Sequence, residues 1–330
     1  RSSDAEHILF GILDKHPLAA AKLADYYFSV SESAAVETVV QLYEKVVALE
    51  SKGGQVYDAK AYDDVLNAFA AKIYVRAEHS FNSGSYNDVS ILLAAVNKTK
   101  CRNDKSLDLC CKADTIILLN KIEATRFNDR GFLPLVDDFR KLWGRGTNIV
   151  ELRDTVLQFI GKLKQANRYY VAAVILGVFY GDKFHAACLD NISSVICGDD
   201  SEIHSSTIKD VVKTYGKQLV TRIELTVDAS VDLFDRCWRQ SSDSEFVMNI
   251  LASDLSSELS EGIVSHILSY HKTYLTNEDL HLKFVDWIKA AYNLKESIEL
   301  YEKIHALGYD VERNYVLNVC ELCRTLSCED

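Results

Sequence analysis

The chain has 330 residues, 48% of them hydrophobic, enough for two globular domains or one continuous array with a large buried core. Only 2 prolines, Pro17 and Pro134, and 14 glycines interrupt it, which excludes the turn-rich all-β folds and favours long helices with short connections. The net charge of −11 argues against non-specific binding to nucleic acid or to an anionic membrane over the whole surface, and leaves room for a local basic patch.

Helical periodicity dominates in chain order. Ile8, Leu9, Ile12 and Leu13 make an apolar stripe, and Pro17 opens a second helix through Leu18, Ala21, Leu23 and Tyr27. Ser33 to Leu49 places Val36, Val39, Val40, Tyr43, Val46 and Val47 at amphipathic spacing, and Lys52-Gly53-Gly54 stops it. A long helix is expected over Ala59 to Phe81, with Val65, Ala68, Phe69, Lys72 and Ile73 tracing one face. Further helices are expected over Tyr86 to Val96, Leu107 to Phe127 and Phe132 to Trp143. Gly144-Arg145-Gly146 then reads as the clearest break, dividing an N-terminal half, 1–143, from a C-terminal half, 147–330, both expected as parts of one continuous solenoid.

The second half continues with helices over Ile149 to Leu163, Tyr169 to Phe179, Phe184 to Ile196, Ser206 to Val220, Val227 to Trp238, Glu245 to Leu251 and Ser257 to Tyr270. Asn277 to Ala291, Leu294 to Leu307 and Glu312 to Leu326 follow, with Thr276-Asn277 as an N-cap. Thr221 to Val227 is the one β-tempting stretch and is taken as helical or irregular. The fold class is therefore all-α, with about sixteen helices joined by short loops.

Two segments carry a family likeness. In the first, Ala77 is followed by the turn Ser83-Gly84-Ser85, by Tyr86 opening the next helix, and by Val89, Leu93 and Val96. In the second, Phe284 to Ile304 runs on into His305-Ala306-Leu307-Gly308-Tyr309-Asp310. Both resemble tetratricopeptide units, and the second is similar to a pentatricopeptide unit as well. Leu42-Tyr43-Glu44-Lys45-Val46 is a weaker echo of Leu300-Tyr301-Glu302-Lys303-Ile304. The resemblance implies an α-α superhelix, a solenoid of stacked helix pairs like tetratricopeptide or armadillo arrays. It further implies a groove that receives a partner's peptide or helix, or, in pentatricopeptide arrays, single-stranded RNA.

Chemistry-bearing motifs are sparse. Cys320-x-x-Cys323, with Cys328 nearby, is half of a zinc-ligand spacing without a second pair; buried core thiols are the favoured reading, a metal site or a disulfide the alternatives. Cys110 and Cys111 point to different sides of one helix. His266 and His271 do not share a helix face, and His79, His185 and His204 stand alone. Tyr169, Tyr170, Phe179, Tyr180 and Phe184 surround one helical turn, as core or as a partner groove. No phosphate loop or nucleophile elbow is present, so no catalytic, cofactor-binding or metal-binding residue is assigned and the chain is read as a non-enzyme.

The main electrostatic feature runs from Lys121 to Arg168, with ten basic against six acidic residues, a net +4 in a chain of −11. Within it Arg126, Arg130, Arg140, Lys141, Arg145 and Arg153 form the candidate partner-binding patch, with the first five converging at one end of adjacent helices. The expectation is a scaffold or adaptor subunit of a larger intracellular complex, cytoplasmic or nuclear, with its nine cysteines reduced. It binds partner proteins and takes no cofactor; the alternative is a nucleic-acid-binding helical repeat that uses the basic segment. No apolar run reaches the ~18 residues a membrane span requires.

Overall fold

A computed structural model describes residues 2–13, 15–52, 58–274, 278–306, 316, 317, 319, 320 and 324. The regular elements among them are helices, and no strand occurs. The expected helix over Glu312 to Leu326, the Thr276-Asn277 cap and the Gly53-Gly54 stop lie largely or wholly outside the described residues. In order the helices are α1 (Ser2–Gly11), α2 (Ala19–Val30), α3 (Val36–Lys52), α4 (Ala59–Asn82), α5 (Tyr86–Asn97), α6 (Asp104–Ala124), α7 (Phe132–Gly146) and α8 (Val150–Gln165). They continue as α9 (Tyr169–Tyr180), α10 (Ala186–Cys197), α11 (Ser205–Val220), α12 (Val227–Ser241), α13 (Ser244–Leu251), α14 (Ser257–Ser269), α15 (His271–Tyr274), α16 (Glu278–Ala291) and α17 (Leu294–Ala306).

The chain packs as two compact units, Arg1–Gly161 and Lys162–Asp330. The division falls inside α8, one helix later than the Gly144-Arg145-Gly146 segment. That segment does not break the chain: it forms the last turn of α7. Gly146 is small because its neighbours are close. A Cβ there would come within 2.6 Å of Cys111 Sγ and of Leu152 Cδ2, so the glycine permits packing where its sequence context suggested a loop.

In the first unit α2 packs on α3 and α4, α3 on α5, α4 on α5, α5 on α6, and α6 on α7. Phe69 of α4 lies at the centre. Its ring meets Tyr43 edge-on at 5.4 Å and Phe28 at 5.3 Å. The buried face of α4 is Tyr62, Leu66, Phe69, Ala70, Ile73 and Ala77. Two members of the expected face are displaced from it: Ala68 is exposed, and Lys72 leans outward to Glu32, 2.6 Å away. α4 is alanine-rich on several sides, so periodicity alone did not choose between stripes, and the large rings Tyr62 and Phe69 did. The Tyr62 hydroxyl donates to the Val46 carbonyl at 2.8 Å, satisfying a polar group carried into the core. On α1, Ile8 is exposed although it fits the expected apolar stripe, while Leu13, just past the helix, is buried.

The α4–α5 hairpin follows the local sequence signals. Ala77 is fully buried, Gly84 turns at φ +81°, and Val89, Leu93 and Val96 are buried on α5. Only a residue without a Cβ takes that φ at no cost. In the second unit α9, α10, α11 and α12 pack each on the next, α12 on α14, α11 on α13, α13 on α16, and α16 on α17. The α16–α17 turn is closed by a reciprocal cap. Asn293 Oδ1 accepts from the Glu296 amide at 3.0 Å, and Glu296 Oε2 accepts from the Asn293 amide at 3.3 Å. The related segments of α3 and α17 both bury their tyrosine and the aliphatic residue three positions on. Their hydroxyls differ: Tyr301 donates to the Val285 carbonyl, while Tyr43 pairs with Thr99 Oγ1.

Thr221 to Val227 is a turn followed by the start of α12. The Arg222 guanidinium holds it, pairing with Asp190 and Glu224 at 2.8 Å each. The Thr226 side chain caps α12 through the Ala229 amide at 3.3 Å.

Candidate partner-binding groove

The Asn103 and Ser106 side chains start α6 with a capping box. Its 21 residues then extend roughly 30 Å. α5 packs on one flank and α7 on the other. Three adjoining cavities follow α6, and α7 lines the first two of them. The first, of about 520 Å³, is lined by Asn97, Arg102, Asp108, Cys110, Asp114 and Arg145, among others. A second, of about 450 Å³, shares Asp114, Leu142 and Arg145 with it and adds Ser90, Leu118, Asp138 and Lys141. A third, of about 560 Å³, shares Asn87, Ile117 and Lys121 with the second and reaches Tyr86 and Ala124. The floor is a helical row, Leu107, Cys110, Asp114, Ile117 and Lys121, in which apolar and charged side chains alternate. All but Lys121 are half-buried.

The thiols in this groove are poor nucleophiles. Burial, reinforced by the Asp114 carboxylate, pushes Cys110 up to about 12, and Cys111 is raised by the same two influences. Both are protonated at neutral pH, and a protonated thiol neither attacks nor ligates. Among the described residues no group of three or more His, Cys, Asp or Glu side chains is arranged to hold a metal ion.

The structure disperses the six predicted basic residues. Arg126 and Arg130 are exposed in the turn between α6 and α7. Arg145 lies at the other end of α7, roughly 20 Å away along the helix. The expected convergence at one end therefore does not occur, because α7 itself separates the two groups. Arg140 is paired with Asp137 at 2.6 Å, and Lys141 with Asp138 at 3.2 Å. Arg153 is exposed on α8. Lys141 and Arg145 do come together with Lys121 on the groove. Arg168, from the same basic run, is buried and spanned by Glu202.

Asn87, Asp114, Ile117 and Leu142 belong to the groove and were not singled out from sequence; the only trace was the mixed polar and apolar row on α6. Of the aromatic cluster, Phe179 is buried and Phe184 packs edge-on against Tyr215. Tyr180 stacks on His185 at 3.6 Å. His185 Nδ1 accepts the Ala187 amide and so caps α10. Cys323 and Cys328 lie outside the described residues. No described helix is long and apolar enough to cross a membrane. No family model, no curated protein and no solved structure matches the chain.

Proposed function

We propose that the chain is a non-enzymatic scaffold, an adaptor subunit of an intracellular complex in the cytoplasm or nucleus. Its α5–α6–α7 groove receives a peptide or helix of a partner protein. The observation that carries this reading is the groove itself, three adjoining cavities along one helix with a half-buried, mixed apolar and polar floor. Sequence-adjacent helices that pack as neighbours within each unit support an α-α superhelix like tetratricopeptide arrays.

A protein partner is favoured over nucleic acid because the basic segment carries its own counter-charges. Asp137, Asp138 and Glu202 each sit within ion-pair distance of one of its cations. Such pairing removes the field that would collect phosphates. The test is the double substitution Ile117→Arg and Leu142→Arg, followed by co-purification. Partner proteins should be lost while the helical circular dichroism is kept; retention of the same partners overturns the groove reading. Salt-sensitive binding of single-stranded RNA that weakens when Arg126, Arg130 and Arg140 are reversed would favour the nucleic-acid reading instead.

A further inference from the structure

The three cations that line the second cavity of the groove are of two kinds. Lys141 is neutralised on its own helix by Asp138, 3.2 Å away. Lys121 and Arg145 are exposed, and neither has a carboxylate within ion-pair distance among the described residues. Asp114 lines the same cavity, but its carboxylate accepts from the Cys110 thiol at 3.6 Å. On each helix a half-buried aliphatic residue of the cavity stands one turn before the unpaired cation: Ile117 before Lys121 on α6, and Leu142 before Arg145 on α7. Aliphatic surface flanked by unpaired positive charge is complementary to an aliphatic side chain flanked by carboxylates.

We propose that the occupant of the groove is an acidic–aliphatic segment of the partner protein. Its aliphatic side chain covers Ile117 and Leu142, and its carboxylates meet Lys121 and Arg145. This assignment rests on the groove being the partner site and adds the chemistry of what fills it. The charge changes along the groove. In the first cavity the carboxylates Asp104, Asp108 and Asp114 outnumber the cations Arg102 and Arg145. A nucleic-acid strand lying along α6 would carry its uniform phosphate charge into that end and be repelled there. A peptide varies its charge from residue to residue and is acidic only where Lys121 and Arg145 require it. The chain's net charge of −11 sets the same limit, since it repels a long polyacidic tract and tolerates a few placed carboxylates.

The probes are peptides selected from a random display library on the full chain, then synthesised with a fluorescent label. They are titrated into the unsubstituted chain, into Lys121→Glu with Arg145→Glu, and into Ile117→Arg with Leu142→Arg, with circular dichroism confirming each fold. Selected peptides should carry Asp or Glu close to Leu, Ile or Val. Reversing Lys121 and Arg145 should weaken them several-fold, and changing the peptide's carboxylates to lysine should restore binding to that variant. Peptides that depend on Ile117 and Leu142, show no acidic preference and bind the charge-reversed chain equally well overturn the acidic–aliphatic assignment and leave the groove standing. A selection that yields no peptide dependent on Ile117 and Leu142 overturns both together. Single-stranded RNA that displaces the peptides, and is itself released by reversing Lys121 and Arg145, overturns the assignment in favour of nucleic acid.

Discussion

Arg168→Ala is expected to lower the stability of the folded chain by about 3 kcal/mol, because it strands Glu202 in a largely buried site. The Arg168 guanidinium meets the Glu202 carboxylate at two points, 2.9 and 3.3 Å. The side chains are only 10% and 18% exposed, which places the pair with buried ion pairs and not with surface ones. It also sits at a junction. The Ser201 amide donates to the Asn167 carbonyl at 2.8 Å, and Asp200 accepts from the Tyr170 amide at 2.7 Å. These bonds fasten the loop before α11 to the turn between α8 and α9. Glu202→Ala should cost a similar amount. The double substitution Arg168→Ala with Glu202→Ala should cost clearly less than the sum, since no buried charge is left alone. Urea unfolding of the four proteins measures the coupling; strict additivity would show that the pair contributes nothing as a pair.

Asp235→Asn is expected to destabilise the chain by about 2 kcal/mol at neutral pH, through loss of a shared buried acceptor. The Asp235 carboxylate on α12 accepts from Tyr274 on α15 and Arg239 on its own helix, and lies 3.3 Å from His266 Nε2 on α14. Burial alone would raise its pKa. The hydrogen bonds from Arg239 and Tyr274, with the imidazole of His266 close by, outweigh that and hold it below the ordinary aspartate range. A depressed carboxylate pKa gives a definite sign. The contribution is fully present above the unfolded aspartate value of about 3.9 and is lost as pH falls through the lower folded value. The gap between the parent and Asp235→Asn should therefore be constant from pH 7 to about 5 and shrink below pH 4. A gap that stays constant down to pH 2 would contradict this account of the cluster.

Features with a local cause were legible in the sequence. Ala77, Gly84, Tyr86, Val89, Leu93 and Val96 specify the α4–α5 hairpin within twenty residues of chain, and each does what its residue type suggests. The same holds for α9 to α14, α16 and α17, whose ends fall close to their expected positions. Features with a tertiary cause were not. Gly146 looks like a breaker in its own neighbourhood and is a spacer only because Cys111 and Leu152 press on it. Arg168 counts as surface charge until Glu202 arrives from another loop. Asp235 gains its role from Tyr274 and His266, on two other helices.

The groove shows the same limit. α6 carries polar and apolar residues on the face between α5 and α7, so its sequence has no clean stripe to mark an exposed binding row. Charge counting, which sees composition and not pairing, pointed to α7 and the turn before it. There Asp137 and Asp138 lie one helical turn before Arg140 and Lys141, a spacing at which opposite charges meet on a helix surface.

Site-specific photo-crosslinking in the native complex tests the central claim most directly. A photoreactive residue at Ile117, on the groove floor, and another at Ile223, fully exposed in the α11–α12 turn, give a matched pair. The account predicts that the Ile117 probe cross-links one discrete segment of a partner protein and that the Ile223 probe does not label that segment. Cross-links from Ile117 to solvent or RNA alone, or the same partner segment labelled from Ile223, would contradict it.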